Sequence, residues 1–151
     1  MRRAEKEIKD QTDIDNIIKE ARVCRLAMAD KDQPYVVPLN FGYDYPYLYF
    51  HSAAQGRKLD ILADNPKVCF EFDNMEKLVK NKVACEWGAA FSSVIGDGVA
   101  ELLKTNDEKQ QALTCIMAQY SGRTFEFPKE NLARTAVIRV KISKMTGKQS
   151  G

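Results

Sequence analysis

The chain is 151 residues long, enough to enclose one hydrophobic core of ordinary size. Hydrophobic residues make up 44% and charged residues 29%, a globular balance that argues against intrinsic disorder. A net charge of +2 is too small for a nucleic-acid binder, and no apolar run nears the ~20 residues of a membrane-spanning helix. Neither nucleic acid nor membrane is therefore expected as a partner.

The opening residues, Met1-Arg2-Arg3-Ala4-Glu5-Lys6-Glu7, are charged with no apolar stretch behind them, unlike a signal peptide. They read as a flexible arm over residues 1–11 on a single domain covering 1–151, in a cytoplasmic protein. Cys24, Cys69, Cys85 and Cys115 are scattered without a C-x-x-C pair, and His51 is the sole histidine, so no metal site is expected. Cys24 and Cys69 fall in apolar strand patterns as small core residues. Cys85 lies in a less regular stretch, where a reactive and an inert thiol are both open readings.

Taken in order, Thr12 or Asp13 caps a first helix whose apolar face is Ile14, Ile17, Ile18 and Ala21. Residues 23–29 read as a strand, Asp30-Lys31-Asp32-Gln33 as a hairpin turn, and residues 35–41 as the returning strand, broken or bulged at Pro38. A turn at 42–46 leads to a third strand at 47–50. Then comes Phe50-His51-Ser52-Ala53-Ala54-Gln55-Gly56-Arg57-Lys58, a strand end, a turn of small residues and a helix that starts with two cations. The unpaired N–H groups of such a turn, the helix dipole, and the donors of His51, Ser52, Arg57 and Lys58 suit a small phosphate-bearing ligand. The same pattern also fits an ordinary solvated connection.

The helix at 59–64 stops at Asn65-Pro66, and residues 68–73 form another strand. Residues 74–82 read as a loop or ragged strand end. Residues 84–103 hold two strand-like runs, the second with Gly96 and Gly98, which mark a bulge or a close approach. Asn106 or Asp107 caps a helix to about Tyr120, with Leu113, Ile116, Met117 and Tyr120 on one face. After a polar loop, alternation of Ala136, Ile138, Val140 and Ile142 marks a last strand at 135–142. Six or seven antiparallel strands with about three helices give a mainly β fold, closed or partly closed as a barrel with capping helices. The glycine fingerprints of dinucleotide and P-loop folds are missing.

The ordered pieces Cys24-Arg25-Leu26-Ala27, Pro34-Tyr35-Val36-Val37-Pro38-Leu39-Asn40-Phe41-Gly42-Tyr43 and Leu48-Tyr49-Phe50-His51-Ser52-Ala53 carry a resemblance. It continues through Gly56-Arg57-Lys58, Asn65-Pro66-Lys67-Val68-Cys69-Phe70, Ser92-Ser93-Val94-Ile95-Gly96 and Thr146-Gly147-Lys148. Over nearly the whole chain the sequence resembles the pyridoxamine-phosphate-oxidase-related flavoproteins with a split β-barrel, in their nitroimidazole-resistance branch.

That resemblance implies FMN at the interface of a homodimer. His51, Ser52, Arg57 and Lys58 would hold the phosphate. Val37, Pro38, Leu39, Asn40 and Phe41 would run beside the isoalloxazine, and Ser92, Ser93 and Val94 would approach the phosphate or ribityl chain, from the same or the neighbouring subunit. Reduced flavin would pass electrons from a donor such as NADH or NADPH to a small flat acceptor, a nitroaromatic compound or a quinone, with His51 as the catalytic group. Pyridoxamine-phosphate oxidation fits less well, since no second phosphate site is evident. A non-catalytic flavin carrier or sensor, a haem protein with His51 as axial ligand, and a deazaflavin protein are the alternatives. His51 reads equally as a structural hydrogen-bond partner and Asn40 as a turn residue, and Trp87 either flanks the flavin or packs at the dimer interface. Phe91, where relatives commonly carry tyrosine, and the small Gly88-Ala89-Ala90 leave the acceptor open.

Overall fold

A computed structural model describes residues 3–151; Met1 and Arg2 of the expected arm lie outside the described residues. Eight strands form one antiparallel sheet: β1 (Glu7–Ile8), β2 (Cys24–Asp30), β3 (Gln33–Leu39), β4 (Gly42–Asp44), β5 (Tyr47–Ala53), β6 (Lys67–Val79), β7 (Gly88–Leu102) and β8 (Thr135–Ser150). The helices are α1 (Gln11–Glu20), α2 (Arg57–Asp64), α3 (Asn106–Tyr120) and α4 (Lys129–Arg134). Strand order is β3-β2-β6-β7-β8-β5-β4, with β1 added to β8. The mainly β expectation holds.

The two ends of this path feed one core. Leu26 of β2, Phe70 and Phe72 of β6, Val94 of β7, Leu48 and Phe50 of β5, and Val140 of β8 are all fully buried in a single cluster. Side chains on strands so far apart in the sheet meet only if the sheet curls round them. β3 and β4 end the path without pairing to each other, so the barrel is split. Asn40 and Phe41 bridge that split covalently. Phe41 plugs the core, its ring centroid 4.8 Å from that of Phe72.

Several boundaries differ from expectation. The arm is not unstructured: residues Ala4–Lys6 form a 3-10 turn, and β1 pairs with Gly147 and Lys148 so that Ile8 is buried. Asp10, not Thr12 or Asp13, caps α1 by accepting the Thr12 N–H. Thr105 caps α3 in a reciprocal capping box with Glu108, a spacing present in the sequence. The expected turn at 42–46 contains β4, packed so tightly on α3 that a Cβ on Gly42 would lie 2.6 Å from the Ile116 nitrogen. The expected loop at 74–82 is largely strand: β6 runs to Val79 against Gly88–Phe91, with a bulge between Met75 and Lys77. The β6 half of this ribbon is exposed on both faces, so no alternation announces it. β7 is one strand instead of two, and β8 runs past Ile142 to Ser150. Gly96 and Gly98 do mark a close approach, packed under Phe70 and Val140 at a register shift beside Asp97. Among the described residues, no helix is long and apolar enough to cross a membrane.

Candidate cofactor-binding site

β5 extends through Ala53, so His51 and Ser52 are strand residues opposite Val137 and Ala136, not parts of the turn. Alternation then separates them. Ser52 shares the inward face of Leu48 and Phe50, whereas His51 shares the face of Tyr47 and Tyr49, on which α3 packs. The expected four donors around one point are thereby divided.

The turn that follows delivers Arg57 and Lys58 to the start of α2. Gly56 precedes them with φ 144° and ψ 162°, a region reserved almost entirely for glycine. No side chain caps this helix, which leaves first-turn N–H groups open to solvent or a ligand. The Arg57 guanidinium lies 4.5 Å above the Tyr35 ring and 3.7 Å from the Asp30 carboxylate. Lys58 is half-buried, and desolvation lowers its pKa below the ordinary lysine value. An anion at this point would relieve that cost.

Tyr35 opens a path along β3. Tyr35, Val37 and Leu39 lean on the core, while Val36, Pro38 and Asn40 are exposed. Because β3 pairs only with β2, its other edge presents free backbone groups, with Pro38 able to offer only a carbonyl. From Tyr35 to Leu39 this edge spans roughly 13 Å. Phe41 departs from the expected set: it is fully buried, and its N–H donates to the Tyr120 hydroxyl at 3.0 Å.

Ser92, Ser93 and Val94 stand elsewhere. Val94 is buried in the core, and its strand pairs on both sides, opposite Phe72 and Gly147, so it presents nothing to a ligand. Ser93 is half-buried on the outer face beside Lys148. Asp30, next to Arg57, lies level with Ala100 of β7, because Ala27 pairs with Cys69 and Lys67 with Val99. Ser93 is then roughly 23 Å further along the strand at ~3.3 Å per residue. One chain does not bring Ser92 and Ser93 to Arg57 and Lys58.

His51 borders a cleft of about 230 Å³ between β5, α3 and α4, lined by Leu113, Ile116, Met117, Phe127 and Leu132. α4 and the loop before it, which the sequence shows only as a polar stretch, build one wall. Trp87 is exposed on the ribbon and donates its indole N–H to the Asn81 carbonyl at 2.6 Å. Tyr35 and Tyr120 escape the sequence reading. Tyr35 had a signal in its inward alternation with Val37 and Leu39; Tyr120, read as part of a packing stripe, had none for its hydroxyl.

The family model described as pyridoxamine 5'-phosphate oxidase matches residues 10–149, nearly the whole barrel. The chain belongs to the pyridoxamine 5'-phosphate oxidase family. Among solved structures, a candidate 5-nitroimidazole antibiotic resistance protein from Bacteroides thetaiotaomicron is 34% identical, with a TM-score of 0.86 over 94% of this chain and 85% of that one. The resemblance to this family and to its nitroimidazole-resistance branch is thus borne out. The flavocytochrome Anf3 from Azotobacter vinelandii (21% identity, TM-score 0.87, 100% of this chain and 72% of that one) shares the fold. So does an FAD- and haem-binding protein from Mycobacterium smegmatis (18% identity, TM-score 0.87, 96% and 73%). No curated protein matches the chain. In this member of the pyridoxamine 5'-phosphate oxidase family, the start of α2 at Arg57 and Lys58 has no side-chain cap and the outer edge of β3 is unpaired.

Proposed function

We propose that this protein is a homodimeric, cytoplasmic FMN-dependent oxidoreductase that reduces a small flat acceptor, a nitroaromatic compound such as a 5-nitroimidazole, or a quinone. The observation that carries the reading is the uncapped, partly desolvated Arg57-Lys58 start of α2, opening onto the free edge of β3. A phosphate dianion fits that donor set, and each charge-assisted hydrogen bond contributes ~1.5–3 kcal/mol. The free backbone groups of Val37, Pro38, Leu39 and Asn40 supply donors and acceptors for the polar edge of a ring system. Bound FMN would supply the electron transfer, with NADH or NADPH as donor.

The offset of roughly 23 Å along β7 between Ser93 and the level of Asp30, the partner of Arg57, supports a site completed by a second copy of the chain. Exposed Met75, Leu78, Val79 and Trp87 on the β6–β7 ribbon give that copy apolar surface to cover. His51 is assigned the proton that accompanies reduction, because it is the sole imidazole and borders an apolar cleft. At about 230 Å³ that cleft falls below the ~300 Å³ at which drug-sized pockets begin, which favours a small acceptor over haem.

The test is the visible spectrum of the purified protein, alone, with FMN or FAD, and then with NADH or NADPH. A two-banded flavin spectrum that bleaches with a nicotinamide and recovers with a nitroimidazole supports the proposal. A bound flavin that no donor reduces points to a carrier. A Soret band, or no affinity for any flavin, overturns it.

A further inference from the structure

The cleft beside His51 has three walls tied in place and one that is not. Ile116 of α3 and Leu132 of α4 are buried, and the Lys109 ammonium of α3 donates to the Leu132 carbonyl at 3.0 Å. The third wall, β5, is held by β8 through the pairing of His51 with Val137 and of Ala53 with Thr135. Phe127 supplies the fourth from the loop of residues 121–128, between α3 and α4. Among the described residues, the backbone of 122–127 makes one hydrogen bond, from the Arg123 N–H to the Ser121 hydroxyl at 3.2 Å. At the start of the loop a Cβ on Gly122 would meet nothing within 4 Å, and Phe127 itself is only half-buried. Such a segment shifts at small cost, whereas the hydrogen-bonded, buried walls do not.

The lining also states what the cleft can hold. The Thr135 hydroxyl donates to the Asn131 carbonyl at 2.8 Å, and both residues border the cleft with His51, one register step away on the same sheet face. The rest of the lining is apolar, so a flat ring with a hydrogen-bonding substituent at this polar side matches it. An apolar cavity of ~150 Å³ takes a benzene ring. By that scale, about 230 Å³ seats one ring with its substituents and is too small for two fused rings with theirs. We propose that Phe127 is the specificity-determining residue of this cleft, restricting it to acceptors of a single ring and turning away two-ring ones. That the occupant is an electron acceptor rests on the flavin reading; the size limit belongs to the cleft itself.

Two readouts test the limit in wild type, Phe127→Ala, Phe127→Leu and Phe125→Ala, the last on the same loop but outside the cleft. The first needs no flavin. His51 is the sole histidine, so its ring signals in the NMR spectrum of isotope-labelled protein report on this cleft. Phenol moves them in wild type, and 2-naphthol binds Phe127→Ala tenfold or more tighter than wild type. The second is steady-state reduction of 1,4-benzoquinone and 1,4-naphthoquinone by the FMN-loaded protein. Phe127→Ala raises the two-ring to one-ring ratio of kcat/KM tenfold or more, mainly through KM, and Phe125→Ala leaves it unchanged. Phe127→Leu, which keeps an apolar wall should the alanine variant fail to fold, moves both readouts the same way by less. An unchanged 2-naphthol affinity, an unchanged ratio while both quinones turn over, or equal changes in Phe125→Ala overturns the proposal. Size selection at the His51 signals with neither quinone reduced sinks the flavin reading alone.

Discussion

The bridge across the split barrel hangs on one hydroxyl, and Tyr120→Phe removes only that. The Phe41 N–H donates to it at 3.0 Å, and the hydroxyl in turn donates to the Arg22 carbonyl at 2.9 Å. Phe41 is fully buried, so its N–H has no route to water once the acceptor is gone; an orphaned buried donor costs about 1–3 kcal/mol. Arg22 is exposed, so its carbonyl regains water and adds little. The substituted phenylalanine keeps the edge-on contact with the Phe41 ring, whose centroid is 6.3 Å away, so packing is preserved. The expected loss is therefore about 2 kcal/mol, or roughly 4–8 °C in melting temperature for a chain of this size. Urea unfolding followed by circular dichroism should show a lower midpoint with an unchanged slope. On the proposed function, flavin affinity should weaken as well, because Asn40 and Phe41 anchor the end of the open β3 edge. A stability change below ~0.5 kcal/mol would refute the reasoning, by showing that the Phe41 N–H is satisfied in another way.

Gly42→Ala should destabilise by about 1–3 kcal/mol in the same urea assay, since the new methyl meets the α3 backbone at 2.6–2.7 Å. Gly122→Ala, with nothing within 4 Å, should stay within ~0.5 kcal/mol, and equal losses at the two sites would contradict the packing account. Gly56→Ala meets no atom within 4 Å, yet its φ of 144° should cost about 1–3 kcal/mol and, on the proposed function, weaken flavin binding, both readable by calorimetry. Stability should fall as pH rises above about 9, because burial raises the Cys24, Cys69 and Cys115 thiols, the last up to about 11. The folded chain keeps those protons where the unfolded chain, with thiols near 9, has lost them, so their contribution is full below 9 and lost as each folded value is passed. Lys58, shifted down, opposes this only weakly; a urea midpoint that rises from pH 8 to pH 10 would count against the burial account. On the proposed function, His51→Ala should weaken flavin binding modestly while lowering acceptor reduction; complete loss of the visible chromophore would instead indicate haem.

The strands that bury one face were legible from alternation, as in β2, β5 and the first half of β8. What escaped was structure whose pattern depends on distant partners. Beyond Asn74 the β6 half of the ribbon has polar and apolar residues on two solvent-exposed faces, so its local pattern says nothing. β4 is three residues long and is fixed by α3, some 70 positions later, through contact at Gly42. At the site, Arg57 and Lys58 could be read because two adjacent cations open a helix after a glycine. That His51 and Ser52 face apart follows from a strand ending three residues later than apolarity alone suggests. The remoteness of Ser93 from Arg57 required the register of three strands, β2, β6 and β7, which no motif encodes.

β8 follows every other strand in the chain, yet it lies between β7 and β5 and also carries β1. While the chain is being made, the β3-β2-β6-β7 ladder and the β4–β5 hairpin are therefore two separate sheets, joined through Asn40 and Phe41 at one end of the hairpin and through the α2 segment at the other. The β7 edge and the β5 edge, which β8 joins, stay unpaired until β8 emerges. The nascent polypeptide thus passes through a long interval of sticky, half-built sheet, in which strand exchange with a neighbouring chain competes with closure. Chaperone capture and slow synthesis near Thr135 should matter more to the yield of this protein than the strength of any single contact in the finished barrel.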